Sequence, residues 1–346
     1  MSLRSSWVLG VLSAAGALNT QAAESGLLYK VTSSVTLPST NTWWDYIKME
    51  PNSSRLFMAR VQDGLTVFDV DTGKVVATVE NSTGANGPLL LPEYNRGYVA
   101  MTDGSVLIFD LKTLQPIERR PLASDGGLNS GVYDPSTKQI HMITGSRSAE
   151  SSWFTLDAAT GKLLKTTKFP FRKMDDPAVD GAGSIYAPAR YDNILLKLDA
   201  KTLQETARWP VGCNISKARW QPSTQRIIGT CLNDKSLVFS VDPAAGRITS
   251  QVTVGDVLDG LGLDEQRKRI VTSSNDGTLS VVAQKGPDRL ELLGTVTTRP
   301  GARMSVLDER NGNVYVVAAD YTLPPGENVD EIYHRNTFVV LTYRPQ

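Results

Sequence analysis

Residues Arg55 to Val79 read Arg-Leu-Phe-Met-Ala-Arg-Val-Gln-Asp-Gly-Leu-Thr-Val-Phe-Asp-Val-Asp-Thr-Gly-Lys-Val-Val-Ala-Thr-Val. Three short runs rich in β-branched and aromatic residues are separated by two turn signals. Asp63-Gly64 suits a two-residue hairpin loop, in which both central residues take a positive φ. Asp71-Thr72-Gly73-Lys74 is a longer turn, with glycine at the left-handed position and an aspartate able to bond its own backbone. The unit is strand, hairpin, strand, hairpin, strand. Alone it cannot bury both of its faces, so it needs neighbours.

Outward from this stretch the pattern recurs with a period of about 43 residues, the signature of a repeat architecture. The first unit spans residues 43–81. The second, 82–122, carries Gly97-Tyr98-Val99-Ala100, Asp103-Gly104-Ser105-Val106 and Phe109-Asp110. The third, 123–169, ends with Trp153-Phe154-Thr155-Leu156-Asp157 and Thr160-Gly161-Lys162, after a longer loop at 145–152. Units at 170–211, 212–254 and 255–298 repeat the theme, the last without its Phe-Asp. The seventh, 299–346, holds Val314-Tyr315-Val316-Val317, an insertion at 321–336 and a final strand at 337–343, but no outermost strand. Residues 27–37 precede the first unit with nothing to pair with there. These two facts explain each other if the ring closes with the N-terminal strand completing the last blade. The expected fold is an all-β, seven-bladed β-propeller forming one domain over residues 26–346.

The repeat resembles the YVTN-type, YncE-like family of exported bacterial seven-bladed propellers, and is distantly similar to the heavy chain of quinoprotein amine dehydrogenases. Tyr98-Val99, Val314-Tyr315-Val316, the Val-x-Phe-Asp-x-x-Thr-Gly-Lys series and the Gly212-Cys213 … Cys231-Leu232-Asn233 pair carry the resemblance, which covers the whole mature chain. It is specific for architecture and weak for chemistry, because the fold hosts both enzymes and binding modules.

The ends and the composition set the compartment and the partner class. Arg4 makes a short positive region, Trp7 to Leu18 is an apolar and small-residue run, and Thr20-Gln21-Ala22 supplies small residues before a cleavage site. Residues 1–22 therefore read as a secretory signal peptide, too short in its apolar part to span a bilayer. The mature protein is expected to be periplasmic or secreted and monomeric. Its two cysteines, Cys213 and Cys231, then form a disulfide. That bridge closes a loop of about 18 residues, worth roughly 3 kcal/mol by the chain-entropy model. Net charge is zero, which removes the usual electrostatic driver for nucleic acid.

Aligning the repeats on Glu50, Leu91, Asp134, Asp180, Gln221, Asp264 and Asp308 places seven polar residues five positions earlier, where each inner strand begins. They are Asp45, Asn86, Asn129, Asp175, Ser216 (or Lys217, the register being open by one), Asp259 and Arg303. In a propeller they ring the mouth of the central channel. Such a ring is either the polar lining of a wet channel or a site for a polar ligand. Trp43, Trp44, Arg172, Asp176, Arg190, Tyr191 and the Tyr333-His334-Arg335 insertion are expected around it; one of the two tryptophans is expected to be exposed and the other to pack under a neighbouring blade.

Catalytic material is scarce. There are two histidines, His141 and His334, far apart in sequence and at unmatched repeat positions. A three-histidine zinc site or a Ser-His-Asp triad therefore has little to draw on. The resemblance implies a histidine at the inner-strand starts of the second and fifth blades, where this chain has Asn86 and Ser216 or Lys217. Similarity to lactonase-like propellers implies instead Ca²⁺ held by channel oxygens, for which Asp45, Asp175 and Asp259, with Asn86 and Asn129, are the candidates. The first expectation is an exported propeller without a cofactor, non-enzymatic, binding a partner protein or small polar ligand at the channel mouth. The alternatives are a Ca²⁺-dependent lactonase or hydrolase in the channel, and the platform subunit of a periplasmic quinoprotein-type redox complex.

Overall fold

The turns that punctuate the repeat set its strands. The computed structural model describes residues 28–232, 236–326 and 329–346. In it Asp69 accepts the Thr72 N–H at 2.7 Å, and Asp110, Asp157 and Asp199 accept those of Thr113, Thr160 and Thr202 at 2.8 Å. The following residue is left-handed, at φ 68° for Gly73 and 69° for Gly161, but also 62° for Leu114 and 61° for Leu203. The two leucines are buried in the packing between blades, and that burial offsets a backbone conformation costly for a branched side chain. The Asp63-Gly64 turn departs from the two-residue loop its sequence suggests. The chain turns over residues 60–64, and Gly64 (φ 73°) and Val61 (φ 33°) take positive φ while Asp63 does not. Asp63 is instead held by Arg60 Nη2 at 2.9 Å and by the Thr40 N–H.

Seven four-stranded antiparallel sheets and one two-stranded hairpin make up the described structure. The innermost strands are Ile47–Met49, Ala85–Leu91, Leu128–Asp134, Ala178–Val179, Ile215–Gln221, Leu258–Asp264 and Met304–Leu307. Each packs on the next, and Met304–Leu307 packs on Ile47–Met49, so the blades form a closed ring. In blade 7 the order from the inside is Met304–Leu307, Val314–Ala318, Phe338–Pro345 and Tyr29–Leu37. The first strand of the chain thus completes the last blade, Tyr29 opposite Pro345 and Leu37 opposite Phe338. The chain is a seven-bladed β-propeller. The leader expected at residues 1–22, and Leu27 of the closing strand, lie outside the described residues.

Hydrophobic packing sits between the blades. One apolar cluster fills each interface, such as Phe57, Val67, Val99, Leu107 and Phe109 between blades 1 and 2. The closing interface, blade 7 on blade 1, is filled by Trp44, Leu56, Met58, Tyr315, Phe338 and Val340. Within blades 2 and 5 the Phe of the Phe-Asp motif, or its counterpart, lies flat on a glycine of the adjacent strand, Phe109 on Gly97 and Phe239 on Gly229. A Cβ on Gly97 would stand 2.1 Å from the Phe109 ring. Cys213 and Cys231 are joined in a disulfide at the end of blade 5, with Cα atoms 5.7 Å apart. Among the described residues no helix is long and apolar enough to cross a membrane.

Four innermost strands carry a one-residue bulge at the same register. Asn86, Asn129, Ser216 and Asp259 each stand unpaired where the ladder skips from 85 to 87, 128 to 130, 215 to 217 and 258 to 260. A bulge bends its strand and re-aims the side chains around it. These are four of the seven polar positions marked out by the repeat alignment.

Candidate functional site

The polar positions form a collar of contacts that runs from blade 1 through to blade 7. The Tyr46 N–H donates to the Asn86 carbonyl at 3.1 Å, and Asn86 Nδ2 donates to the carbonyl of Asn129 at 3.2 Å. Asn129 Nδ2 donates to Asp175 Oδ1 at 3.2 Å. The Asp176 N–H then donates to the Ser216 carbonyl at 3.3 Å, Lys217 Nζ pairs with Asp259 at 3.1 Å, and Arg303 approaches the same carboxylate at 3.7 Å. In blade 5 it is Lys217 that brings charge into the channel. Ser216, at the bulge, turns aside to Thr230 Oγ1 at 3.1 Å.

Most of the charge in the collar is matched internally. Asp175 is fully buried and is held by Arg190 and by Lys173 at 3.4 Å. Burial nonetheless leaves its pKa above the ordinary carboxylate value, opposed by Lys173 and Arg190. Asp259 goes the other way: burial raises it, but Lys217 and Arg303 outweigh that and hold it low. Asp45 is the exception. Among the described residues no hydrogen bond or ion pair reaches its carboxylate. Burial first, and then the Asp259 charge, push its pKa up to about 7 against the pull of Arg303, Lys217 and Lys173.

Tyr46 crosses the channel from blade 1. Its hydroxyl accepts Asn129 Nδ2 of blade 3 at 3.3 Å, and Lys217 Nζ of blade 5 lies 4.3 Å from its ring centroid. The repeat alignment overlooked Tyr46, Lys48, Lys173 and Arg219. Tyr46 and Lys48 lie one and three positions past the aligned register, and the bulges let consecutive residues face inward. Lys173 reaches in from the link that leads into blade 4.

The two adjacent tryptophans separate. Trp44 is 3% exposed, packed beneath Tyr333 at 4.8 Å and edge-on to Phe338 at 5.3 Å, so it is removed from any surface site. Trp43 is 41% exposed. Arg172 and Tyr191 stack outside the collar, the guanidinium 4.5 Å from the ring centroid, while their neighbour Arg190 turns inward to Asp175. The insertion of blade 7 forms the small hairpin Tyr321–Thr322 with Ile332–Tyr333, which presents Leu323 (62% exposed) and Ile332 (53%). In an antiparallel blade the start of the inner strand and the second-to-third-strand link share one face. Trp43, Tyr191, Leu323 and Ile332 therefore all stand on the channel-mouth face.

Catalytic and metal chemistry find few donors in this arrangement. His141 is buried, bonded to Thr155 Oγ1 at 3.0 Å, and burial brings its pKa down to about 4. His334 bonds Thr322 within the hairpin at 2.8 Å. Among the described residues no three His, Cys, Asp or Glu side chains converge to hold a metal ion. Asp175 and Asp259, two of the three carboxylates expected to serve Ca²⁺, each already face two cationic side chains.

No protein-family model matches the chain, and no curated protein does. The fold does have solved counterparts. A propeller chain in the "Crystal Structure of Mitotic Checkpoint Complex" superposes with a TM-score of 0.71, covering 92% of this chain and 96% of that one at 13% identity. At that identity the likeness is one of fold.

Proposed function

We propose that this chain is an exported, non-catalytic propeller, a divergent member of the YncE-like type, that docks a partner protein on its channel-mouth face. The observation that carries the reading is the exposed set Trp43, Tyr191 with Arg172, Leu323 and Ile332, gathered on one face of the disc. Large aromatics and arginine are the residue types that anchor protein interfaces, and scattered single leucines are not. The collar beneath them favours a partner over a small polar ligand at this mouth, because Asp175 and Asp259 already have their cations. The disulfide supports an oxidising compartment. The neighbour in fold comes from a multi-protein complex by its description, which agrees with a docking role for such a disc.

A photo-crosslinking residue placed at position 43 or 323 should capture the same protein from the native extracytoplasmic fraction. The same probe at position 76, on the outer edge of blade 1, should not capture it. Trp43→Glu combined with Leu323→Glu should abolish co-purification of that partner without lowering the melting temperature. Capture that is equal from position 76, or indifferent to the double substitution, would remove the mouth face from consideration.

A further inference from the structure

The channel has a second chamber on the far side of Tyr46, and its chemistry differs from that of the mouth. A cavity of about 220 Å³ lies beneath the Tyr46 ring, between the inner strands of blades 4 to 7 and blade 1. It opens past Glu309, in the turn after the inner strand of blade 7, on the face opposite Trp43. One side is apolar, formed by Trp220, Leu261, Leu263, Val306 and Leu307. The other side holds Lys48, Lys217 and Arg219 against Asp176 and Asp259.

Pairing among the inner-strand side chains of the chamber leaves one cation over; Glu309, exposed at the opening, forms an ion pair with none of them. Arg219 Nη2 donates to Asp176 Oδ2 at 2.5 Å, and Lys217 takes Asp259. Lys48 Nζ comes no nearer than 4.0 Å to the same Asp176 oxygen that Arg219 already occupies. Cation–π contact with Tyr46, 5.6 Å from the ring centroid, is its other neighbour. Burial lowers the Lys48 pKa to about 8 and Asp176 opposes the drop, so the ammonium persists at neutral pH. A half-buried cation that shares its nearest carboxylate with an arginine is stabilised by an anion brought from solution. A water occupies about 30 Å³ of liquid, so this volume equals about seven waters, and bonded atoms, which sit closer together than waters, fit in it as a solute of roughly eight to ten non-hydrogen atoms. A pocket with apolar walls and a few placed charges orients such a solute by its head group.

We propose that this chamber binds a small monocarboxylate with an apolar body, its carboxylate between Lys48 and Arg219 and its chain against Trp220, Leu263 and Val306. The site is independent of partner docking on the opposite face. Calorimetry on the intact mature protein tests it with 3-phenylpropionate and hexanoate as probes, and with 3-phenylpropanol and inorganic phosphate as comparisons. Saturable one-to-one binding of a carboxylate is expected, weakened about tenfold or more by Lys48→Met and matched by neither the alcohol nor phosphate. Val306→Trp, which fills the chamber from its wall and leaves the charges in place, should block binding as well; melting curves establish that both variants are folded. Four results would overturn the proposal: no saturable binding of either carboxylate, equal binding of the alcohol, phosphate binding as tight as the carboxylates, or a folded Lys48→Met that binds like the parent.

Discussion

The two sides of the channel are built on the same repeat and solve the same problem differently. In blades 2 and 3 the aligned positions are Asn86-Gly87 and Asn129-Ser130; in blades 4 and 5 they are Asp175-Asp176 and Ser216-Lys217. Gly87 lets two inner strands approach backbone to backbone, so closely that a Cβ there would stand 2.4 Å from the Asn129 carbonyl oxygen. Amide-to-carbonyl bonds finish the contact, and no charge is needed. In blades 4 to 7 and blade 1 the gap is spanned by charged side chains instead, and a cavity remains among them. Repetition supplies the disc, while the positions that escape repetition supply its chemistry. Tyr46 is the strut between the two halves, bonded to Asn129 on one side and capped by Lys217 on the other.

Removing Asp176 should break the charged half most severely. Asp176→Ala strands Arg219 and Lys48 together in the channel wall, which should cost about 3 kcal/mol or more. Asn86→Ala in the neutral half removes only amide donation to two carbonyls and should cost about 1 kcal/mol. Urea unfolding of the two variants reads the contrast directly. Equal losses would mean that the charges are as dispensable as the amides.

Next in size is the neutral half's own weak point. Gly87→Ala forces a methyl against the Asn129 carbonyl and Ser130 Cα, where backbone cannot swing aside as a flexible side chain would. A loss of about 2 kcal/mol is expected in the same assay. The matching position of blade 4 already holds a full side chain, Asp176, so its blade spacing is set another way. A neutral result at Gly87 would show that blades 2 and 3 have slack, and that close approach is not what lets them do without charge.

These contrasts also mark what the sequence discloses. The Phe-Asp-x-x-Thr turns, the seven units and the orphan strand at residues 27–37 could be read because each is repeated or conspicuously unpaired, and local turn chemistry dictates them. The collar positions could be read because a polar residue recurs five places before the aligned residue of every repeat. The side chains sharing the channel with them were harder to see. Strand alternation sends Tyr46 and Asp45 to opposite faces, yet a bulged or irregular start lets both point inward. Lys173 comes from a link whose path depends on the neighbouring blade, and Lys48 and Arg219 meet at Asp176 only after the ring has closed. Pairings between blades are tertiary facts, and a period of 43 residues does not encode which charge faces which.

Asp45 supplies the finest test of the comparison, because it is the carboxylate of the charged half that lacks a partner. Its carboxyl keeps its proton up to about pH 7 in the fold, against an ordinary value of 3.8. Between those two values the folded chain holds a proton that the unfolded chain has released, so stability falls as pH rises from about 4 to 7 and then levels off. Asp45→Asn cannot ionise and places at blade 1 the residue that blade 2 carries at the same register. Its melting temperature should equal that of the parent near pH 4, draw ahead as pH rises, and settle several degrees higher above pH 7. A difference that does not change with pH would mean that Asp45 is ionised throughout, held by Arg303 and Lys217 like the other carboxylates of its half. In that case the charged half would have no unmatched member at the mouth, and Lys48 on the opposite side of Tyr46 would be the channel's one unbalanced group among the described residues.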